Sequence, residues 1–243
     1  MNKTLDSFLG GRIKLIQPLD GYRAGIDPIF LAAAIHPKPD EKILDVGAGV
    51  GTASISLAVR CPHAQIVGLE VQSDLAQLAL TNIQANHVNE RVQMINGDLL
   101  SPPAFLKSSS FDQVMTNPPY YEYDRTQSSP VPGKAQANTE TVDLGKWIKA
   151  SLKLLKPKGV FTMIHRVERL SEILHHLGNR VGDLVLYPLW PGLNKPARRV
   201  IIQGRKNIGG DLRLAQGIIL HGGAEKYTPE AEAVLRHAKA LVL

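Results

Sequence analysis

The fold of this chain is decided by the stretch Lys42-Ile43-Leu44-Asp45-Val46-Gly47-Ala48-Gly49-Val50-Gly51. Its first five residues form a short apolar run typical of a buried strand, and a helical pattern begins at Thr52. The glycines between them permit a tight turn and let the backbone approach a ligand closely. We therefore predict a strand, a ligand-binding turn and a helix in immediate succession.

Two acidic residues follow at the places where an adenosine-containing cofactor needs acceptors. Glu70 ends the next predicted strand, roughly 20 residues beyond the turn, where a carboxylate can accept hydrogen bonds from ribose hydroxyls. Asp98 follows the third predicted strand and could accept from an adenine amino group. The cofactor-binding residues predicted from this region are Asp45, Gly47, Gly49, Glu70 and Asp98. A nicotinamide-binding fold would share this pattern up to the end of the third strand.

Short apolar runs alternate with helical patterns from Lys42 onward, which is typical of βαβ units around a mostly parallel sheet. We expect one domain over residues 1–243, an α/β Rossmann-like fold with a seven-stranded, mostly parallel sheet and helices on both faces. Its parts are an amino-terminal segment 1–40, a motif-bearing segment 41–165 and a basic segment 166–243 of the same sheet. The predicted strands are Lys42–Val46, Gln65–Glu70, Val92–Asn96, Phe111–Thr116, Val160–His165, Leu184–Leu189 and Arg199–Arg205.

Two helices are predicted from their capping residues and apolar stripes. One should start with Ser73 as its N-cap, and the other with Thr228 ahead of Pro229. The first stripe consists of Leu75, Leu78, Ala79 and Ile83, and the second of Ala231, Val234, Leu235, Ala238 and Leu241.

The motif Asn117-Pro118-Pro119-Tyr120 closes the fourth predicted strand. In a doubly wound sheet, the first and fourth strands would bring the glycine turn and Asn117 to opposite walls of one crevice. The Asn117 side-chain oxygen and the Pro118 carbonyl can each accept one N–H of a planar amino or amide group, while the Tyr120 ring offers a stacking face. We therefore predict catalytic roles for Asn117, Pro118 and Tyr120. The alternative is a turn that merely ends the strand.

The distribution of charge along the chain indicates the chemical class of its binding partner. Residues 1–140 hold 11 Lys and Arg against 14 Asp and Glu, whereas residues 141–243 hold 17 against 8. A basic half suits a polyanionic substrate such as nucleic acid, although a merely basic surface is the alternative.

A single cysteine, an amino terminus without a signal-like pattern and no long apolar run indicate a cytoplasmic protein without a membrane span. Histidines at ligand spacing are missing, so we expect no metal.

Candidate substrate contacts lie on two segments beside the crevice. Lys195, Arg198 and Arg199 fall between the sixth and seventh strands and could contact phosphates. Tyr121 follows the Asn117–Tyr120 motif, which we call the acceptor motif. It stands at the start of a long irregular stretch that extends to about residue 138, and it could stack on a base. Trp147 and Trp190 are interpreted as packing residues.

The glycine turn resembles the first motif of class I methyltransferases, and the chain as a whole resembles the bacterial tRNA(Val) adenine-N6-methyltransferase family. The resemblance is carried by the motifs above and by Gln17-Pro18, by Gly21-Tyr22-Arg23-Ala24-Gly25-Ile26-Asp27 and by Tyr227-Thr228-Pro229-Glu230-Ala231. It implies S-adenosylmethionine as cofactor, an antiparallel seventh strand, adenine between Asn117 and Tyr120, and cofactor contacts from Asn117. It also implies that Arg23 and Asp27 close the cofactor's methionine end. Many members carry a His-Glu pair after the acceptor motif, where this chain has Asn138-Thr139-Glu140.

These features lead to one principal hypothesis and two alternatives. The principal hypothesis is methylation of the adenine N6 amino group in tRNA, with the base extruded into the crevice and the methyl group transferred directly. One alternative is a glutamine N5-methyltransferase that acts on a protein. The other is a non-catalytic protein that binds S-adenosylmethionine and RNA.

Overall fold

The computed structural model describes residues 2–19, 23–120, 143–223 and 226–243. Its main sheet has nine strands in the order β10-β8-β9-β7-β6-β3-β4-β5, with β11 also paired to β8. A separate antiparallel hairpin, β1 with β2, precedes this sheet in the chain. The strands are β1 Lys3–Phe8, β2 Ile13–Pro18, β3 Lys42–Val46, β4 Gln65–Glu70, β5 Val92–Asn96, β6 Phe111–Thr116, β7 Leu155–Arg166, β8 Val181–Gly192, β9 Arg199–Lys206, β10 Arg213–Leu214 and β11 Ile218–His221.

All seven predicted strands are present, and the first four have the predicted bounds. Strands β7 and β8 are longer than predicted, because extended backbone continues past the apolar residues that identified them. Strand β9 runs antiparallel to both β7 and β8, which confirms the antiparallel seventh strand that the resemblance implied. The prediction missed the β1–β2 hairpin and the short edge strands β10 and β11.

In the described ranges, six α-helices cover the two faces of the main sheet, which confirms the predicted fold class. One core joins α1, α2, α6 and Ile83 of α3 to one face, and a second core joins α4 and α5 to the other. The alternation along β3 illustrates this arrangement, since Ile43 packs in the first core and Leu44 in the second. The helices are α1 Asp27–Ala33, α2 Thr52–Arg60, α3 Ser73–Ala85, α4 Leu144–Leu154, α5 Leu170–Leu177 and α6 Pro229–His237.

The two predicted helix starts differ in outcome. Thr228 caps α6, and its hydroxyl accepts from the backbone N–H of Ala231 at 3.2 Å, as predicted. The prediction for Ser73 was wrong by one residue, because Gln72 is the N-cap of α3 and makes no side-chain capping bond. Helix α6 is also shorter than its apolar stripe, since Ala238 adopts a left-handed conformation and ends it. Leu241 is buried beyond that end.

The amino-terminal segment packs against the helices on one face of the main sheet. Asn82 of α3 is fully buried, and its amide bonds both the backbone N–H and the carbonyl of Ile16 in β2, at 2.7 and 3.0 Å. Helix α1 buries Phe30 completely in the same core as α2 and α6. This packing fixes where α1 begins, at the edge of the sheet that carries the sequence motifs.

Replacement of Phe30 by alanine tests this packing. We expect Phe30→Ala to lower the free energy of unfolding by about 3–5 kcal/mol, because it leaves a cavity in the core. The matched control is Leu5→Ala in the same segment, where the side chain is 64% exposed and the expected change is within about 0.5 kcal/mol. Urea unfolding measures both. Equal, small effects would show that α1 does not contribute to the core as described.

Candidate active site

The glycine turn after β3 has the backbone geometry that its sequence predicts. Gly47, Gly49 and Gly51 all have positive φ angles, of 71°, 57° and 86°, which side chains rarely tolerate. The backbone N–H groups of Gly47 and Ala48 donate to the Leu69 carbonyl at 2.9 and 3.1 Å, so β4 holds the turn in place. A Cβ atom at Gly49 would meet nothing within 4 Å, so this part of the turn borders open space.

The carboxylate of Glu70 lies directly against this turn. Its Oε2 accepts from the backbone N–H of Gly49 at 2.9 Å, and its Oε1 accepts from the N–H of Gln72 at the same distance. Asp98 lies beyond the end of β5, exposed, with its Oδ1 accepting from the Leu100 N–H. Both acids therefore lie on the same edge of the sheet as the turn, and their cofactor contacts stay predictions.

Asp45 is buried beneath the turn. Its Oδ2 accepts from the Ser54 hydroxyl at 2.7 Å, which ties β3 to α2. Burial raises the pKa of Asp45 to about 6, and the nearby charge of Glu70 also raises it. A carboxylate that is 2% exposed and bonded to Ser54 supports the turn from below; its predicted contact with the cofactor is not tested by this geometry.

The acceptor motif lies beside the glycine turn. Strands β3 and β6 are paired in parallel, with Val46 opposite Thr116, so Gly47 and Asn117 both follow directly after paired residues. The sequence predicted this proximity from topology alone. Pro118 is buried, whereas Asn117 and Tyr120 are partly exposed at the sheet edge.

A hydrogen-bonded network fixes Tyr120. Its hydroxyl lies 2.6 Å from Oδ1 of Asn117 and 2.9 Å from Oδ2 of Asp27, the first residue of α1. The same Asp27 oxygen accepts from Nε of Arg199 at 2.9 Å. Asp27, predicted to close the cofactor's methionine end, is thus attached to the acceptor motif.

Cationic groups cover the Tyr120 ring. The guanidinium carbons of Arg199 and Arg166 lie over the ring, 4.7 and 5.5 Å from its centroid. The His165 ring meets it edge-on, with the centroids 5.0 Å apart. The sequence predicted a stacking face on Tyr120, and in the structure two guanidinium groups occupy space over that ring.

His165 is the buried support of this ring, with only 1% of its surface exposed. Burial lowers the pKa of its imidazole to about 4, and three neighbouring guanidinium groups act in the same direction. They belong to Arg169, Arg199 and Arg166. His165 is therefore a neutral packing partner for Tyr120 at neutral pH.

The remaining predicted residues have different surroundings. Arg23 directs its guanidinium to Asp6, Thr4 and the Pro18 carbonyl, so it braces the amino-terminal hairpin. Lys195 and Arg198 are exposed on the β8–β9 connection, and their contacts with substrate stay predictions. Arg199 is instead paired with Asp27. Tyr121 and the segment around Asn138-Thr139-Glu140 lie outside the described residues.

Trp147 is a site residue that the sequence interpretation placed only as packing. Its indole N–H donates to Thr116 Oγ1 at 3.0 Å, and that hydroxyl donates to the Val46 carbonyl at 2.9 Å. Its ring atoms also lie 3.1 Å from the position that a Cβ on Gly47 would take. Trp147 therefore joins α4 to the ends of β3 and β6, and a side chain at Gly47 would require the indole ring to shift.

Among residues 2–19, 23–120, 143–223 and 226–243, no group of three or more potential metal ligands comes together. Over the same ranges, no helix is long and apolar enough to cross a membrane.

A glycine turn and an Asn-Pro-Pro-Tyr motif at the ends of adjacent parallel strands define this protein as a Rossmann-like, class I methyltransferase. A family model described as "Methyltransferase small domain" matches residues 26–180. Because the match covers more than half of the chain, the protein belongs to the methyltransferase small domain family.

Comparison with individual curated proteins and solved structures agrees with this assignment. A curated relative from Porphyromonas gingivalis, named tRNA1(Val) (adenine(37)-N6)-methyltransferase, is 29% identical over 93% of this chain and 91% of its own. A predicted O-methyltransferase, protein Atu636 of Agrobacterium tumefaciens, has a similar structure, with a TM-score of 0.73, 21% identity and coverage of 89% and 98%. P. horikoshii TYW2 in complex with MeSAdo has a TM-score of 0.58, 15% identity and coverage of 85% and 72%. These structural similarities confirm the fold.

The pKa of His165 predicts acid sensitivity. Between pH 6.5 and about 4, the unfolded chain binds a proton at this histidine that the folded protein excludes, so stability falls as the pH falls. From pH 7 to pH 5 this loss amounts to about 2 kcal/mol. His165→Phe has no imidazole and lacks this pH dependence. Between pH 7 and pH 5, the free energy of unfolding of the wild-type protein should therefore fall by that amount relative to the variant.

Urea unfolding of both proteins at the two pH values measures the difference. Asp45, whose raised pKa acts in the opposite direction, is present in both proteins and cancels. If the difference between the two proteins is the same at pH 7 and pH 5, the imidazole is not excluded from protonation and the prediction is wrong.

Proposed function

We propose that this protein transfers a methyl group from S-adenosylmethionine to the N6 amino group of an adenine in tRNA. The observation that carries the proposal is the pairing of Val46 with Thr116, because it sets the glycine turn beside Asn117. The name of the Porphyromonas gingivalis relative supports the choice of adenine and of tRNA. A tRNA substrate would place the activity in the cytoplasm.

The residues at the turn suit the cofactor. Open space borders Gly49. The Glu70 carboxylate lies beside that space, and its oxygens are suited to accept hydrogen bonds from the ribose hydroxyls of a bound cofactor, in competition with the Gly49 N–H. Thr52, at the start of α2, has a buried hydroxyl with no hydrogen-bond partner among the described residues, which fits a ligand beside the turn. Gly47, Gly49, Glu70 and Asp98 are the proposed cofactor contacts, with Asp45 as the support of the turn.

The acceptor motif is proposed to orient the amino group. When bound, the cofactor supplies an electrophilic sulfonium methyl group, so the protein needs to provide alignment more than ionisation. The Asn117 side-chain oxygen and the Pro118 carbonyl would each accept one N–H of the amino group, which directs its lone pair at the methyl carbon. Pro118 is buried, and the following Pro119 restricts the backbone of Pro118 to extended conformations, which keeps the Pro118 carbonyl in place.

The surroundings of the crevice favour RNA over a peptide. Arg166 lies over Tyr120, and Arg198 and Lys195 lie on the connection beside it; all three are exposed, and no ion pair is found for them in the described part of the chain. The phosphates of RNA bind to such a cationic surface. A glutamine side chain of a protein substrate is neutral and does not require cations beside the acceptor motif. The tRNA would present its adenine by extrusion, which requires the base to enter over Tyr120.

The direct test supplies labelled S-adenosylmethionine together with total RNA and, separately, total protein. We expect label in the RNA as N6-methyladenosine, identified by mass spectrometry of the nucleosides. Label in glutamine of a protein, or in another nucleoside, would contradict the proposed acceptor.

Replacement of Asn117 by alanine tests its role. We expect Asn117→Ala to keep S-adenosylmethionine binding, because the glycine turn and the Glu70 carboxylate beside it are intact. Methyl transfer should fall by on the order of 100-fold or more, because a positioning contact is lost at the reacting atom. Calorimetric titration and a single-turnover assay measure the two quantities. Transfer at the wild-type rate would exclude Asn117 from the acceptor site.

A further inference from the structure

Three guanidinium groups surround Tyr120 and His165, and they differ in how their charges are balanced. Arg199 is paired with Asp27 at 2.9 Å, and Arg169 is bonded to Glu172. Arg166 is exposed and has no acidic partner within the described ranges of the chain. It is therefore the cation at the acceptor motif that is available to an anion from outside the protein.

The position of Arg166 connects it with two features of the edge. It is the last residue of β7, and the next residue, Val167, donates its backbone N–H to the Arg198 carbonyl at 3.3 Å. Arg166 thus lies beside the connection that carries the exposed Arg198 and Lys195. Its guanidinium also lies over the Tyr120 ring, 5.5 Å from the centroid.

The two guanidiniums over the ring are not equally easy to move. Arg199 is held by a carboxylate whose side chain is only 15% exposed. Arg166 is held by a contact between a cation and an aromatic ring at an exposed position, which is weaker than a charge-assisted hydrogen bond to phosphate. An approaching phosphate can therefore draw Arg166 away while Arg199 stays.

We propose that Arg166 binds a backbone phosphate of the substrate RNA and leaves the Tyr120 ring when it does so. The same movement clears the space that the Arg166 guanidinium occupies over the ring, which the incoming base can then use, so binding of the RNA backbone and entry of the base are coupled. This inference rests on the proposed function, because it requires an RNA substrate. It adds a phosphate site at a residue that the sequence interpretation did not name, since that interpretation placed phosphate contacts at Lys195, Arg198 and Arg199.

The test compares Arg166→Ala with Arg205→Ala. Both residues are exposed and each substitution removes one positive charge, but Arg205 lies at the far end of β9, at the opposite edge of the sheet. Affinity for the substrate RNA is measured between 50 and 200 mM salt. Loss of one phosphate contact should reduce the slope of log affinity against log salt by about 0.7–0.9 in Arg166→Ala. Arg205→Ala should keep the wild-type slope.

Steady-state kinetics separate this role from a structural one. If Arg166 binds phosphate and leaves the ring in the complex, Arg166→Ala should raise the KM for RNA by on the order of 5- to 10-fold while kcat stays within about 2-fold. Arg166→Gln, which keeps most of the alkyl chain, should behave in the same way. Affinity for S-adenosylmethionine, measured by calorimetry, should match the wild-type value in both variants.

The outcomes distinguish this proposal from the function on which it rests. A fall in kcat with an unchanged KM would mean that Arg166 holds Tyr120 in place, and it would overturn the phosphate site. A wild-type salt slope and KM in Arg166→Ala, with N6-methyladenosine still formed, would also overturn the phosphate site and leave the proposed function intact. Absence of both RNA binding and RNA methylation in the wild-type protein would overturn both.

Discussion

The arrangement of the acceptor motif and its neighbours depends on one carboxylate, that of Asp27. It receives Nε of Arg199 and the Tyr120 hydroxyl, which come from positions 172 and 93 residues further along the chain. Its side chain is mostly buried, so these charge-assisted bonds are weakly screened by solvent. Three separate parts of the chain, α1, the acceptor motif and the start of β9, are joined at this single group.

The position of Asp27 also bears on how Asn117 can serve a substrate. The Tyr120 hydroxyl lies within hydrogen-bond distance of both Asp27 and Asn117, yet a phenol has a single hydrogen to donate. A carboxylate is the stronger acceptor. Asp27 can therefore accept the hydrogen bond of the Tyr120 hydroxyl when an amino group approaches, so that the phenol does not compete with that amino group for the Asn117 oxygen. In this account Asp27 positions the acceptor motif.

The sequence predicted those features that depend on local pattern. The glycine turn, Glu70 and the acceptor motif follow short apolar strands, and parallel pairing of β3 with β6 brings them together without further information. The pairing of Arg199 with Asp27 could not be predicted, because no periodicity links residues so far apart. Trp147 was missed for a similar reason, since its contact with Gly47 depends on how α4 packs on the sheet. Arg166 gave no signal beyond its charge at the end of a strand.

A double-mutant cycle between Asp27→Asn and Tyr120→Phe tests most directly whether Asp27 acts through the Tyr120 hydroxyl. The quantity measured is the rate of methyl transfer in a single turnover, with saturating cofactor and RNA. We expect Asp27→Asn to slow transfer strongly in the wild-type background and much less in Tyr120→Phe, where no phenol hydrogen competes for Asn117. The effect that remains in Tyr120→Phe reports the loss of the Arg199 ion pair. Equal effects of Asp27→Asn in the two backgrounds would contradict the account.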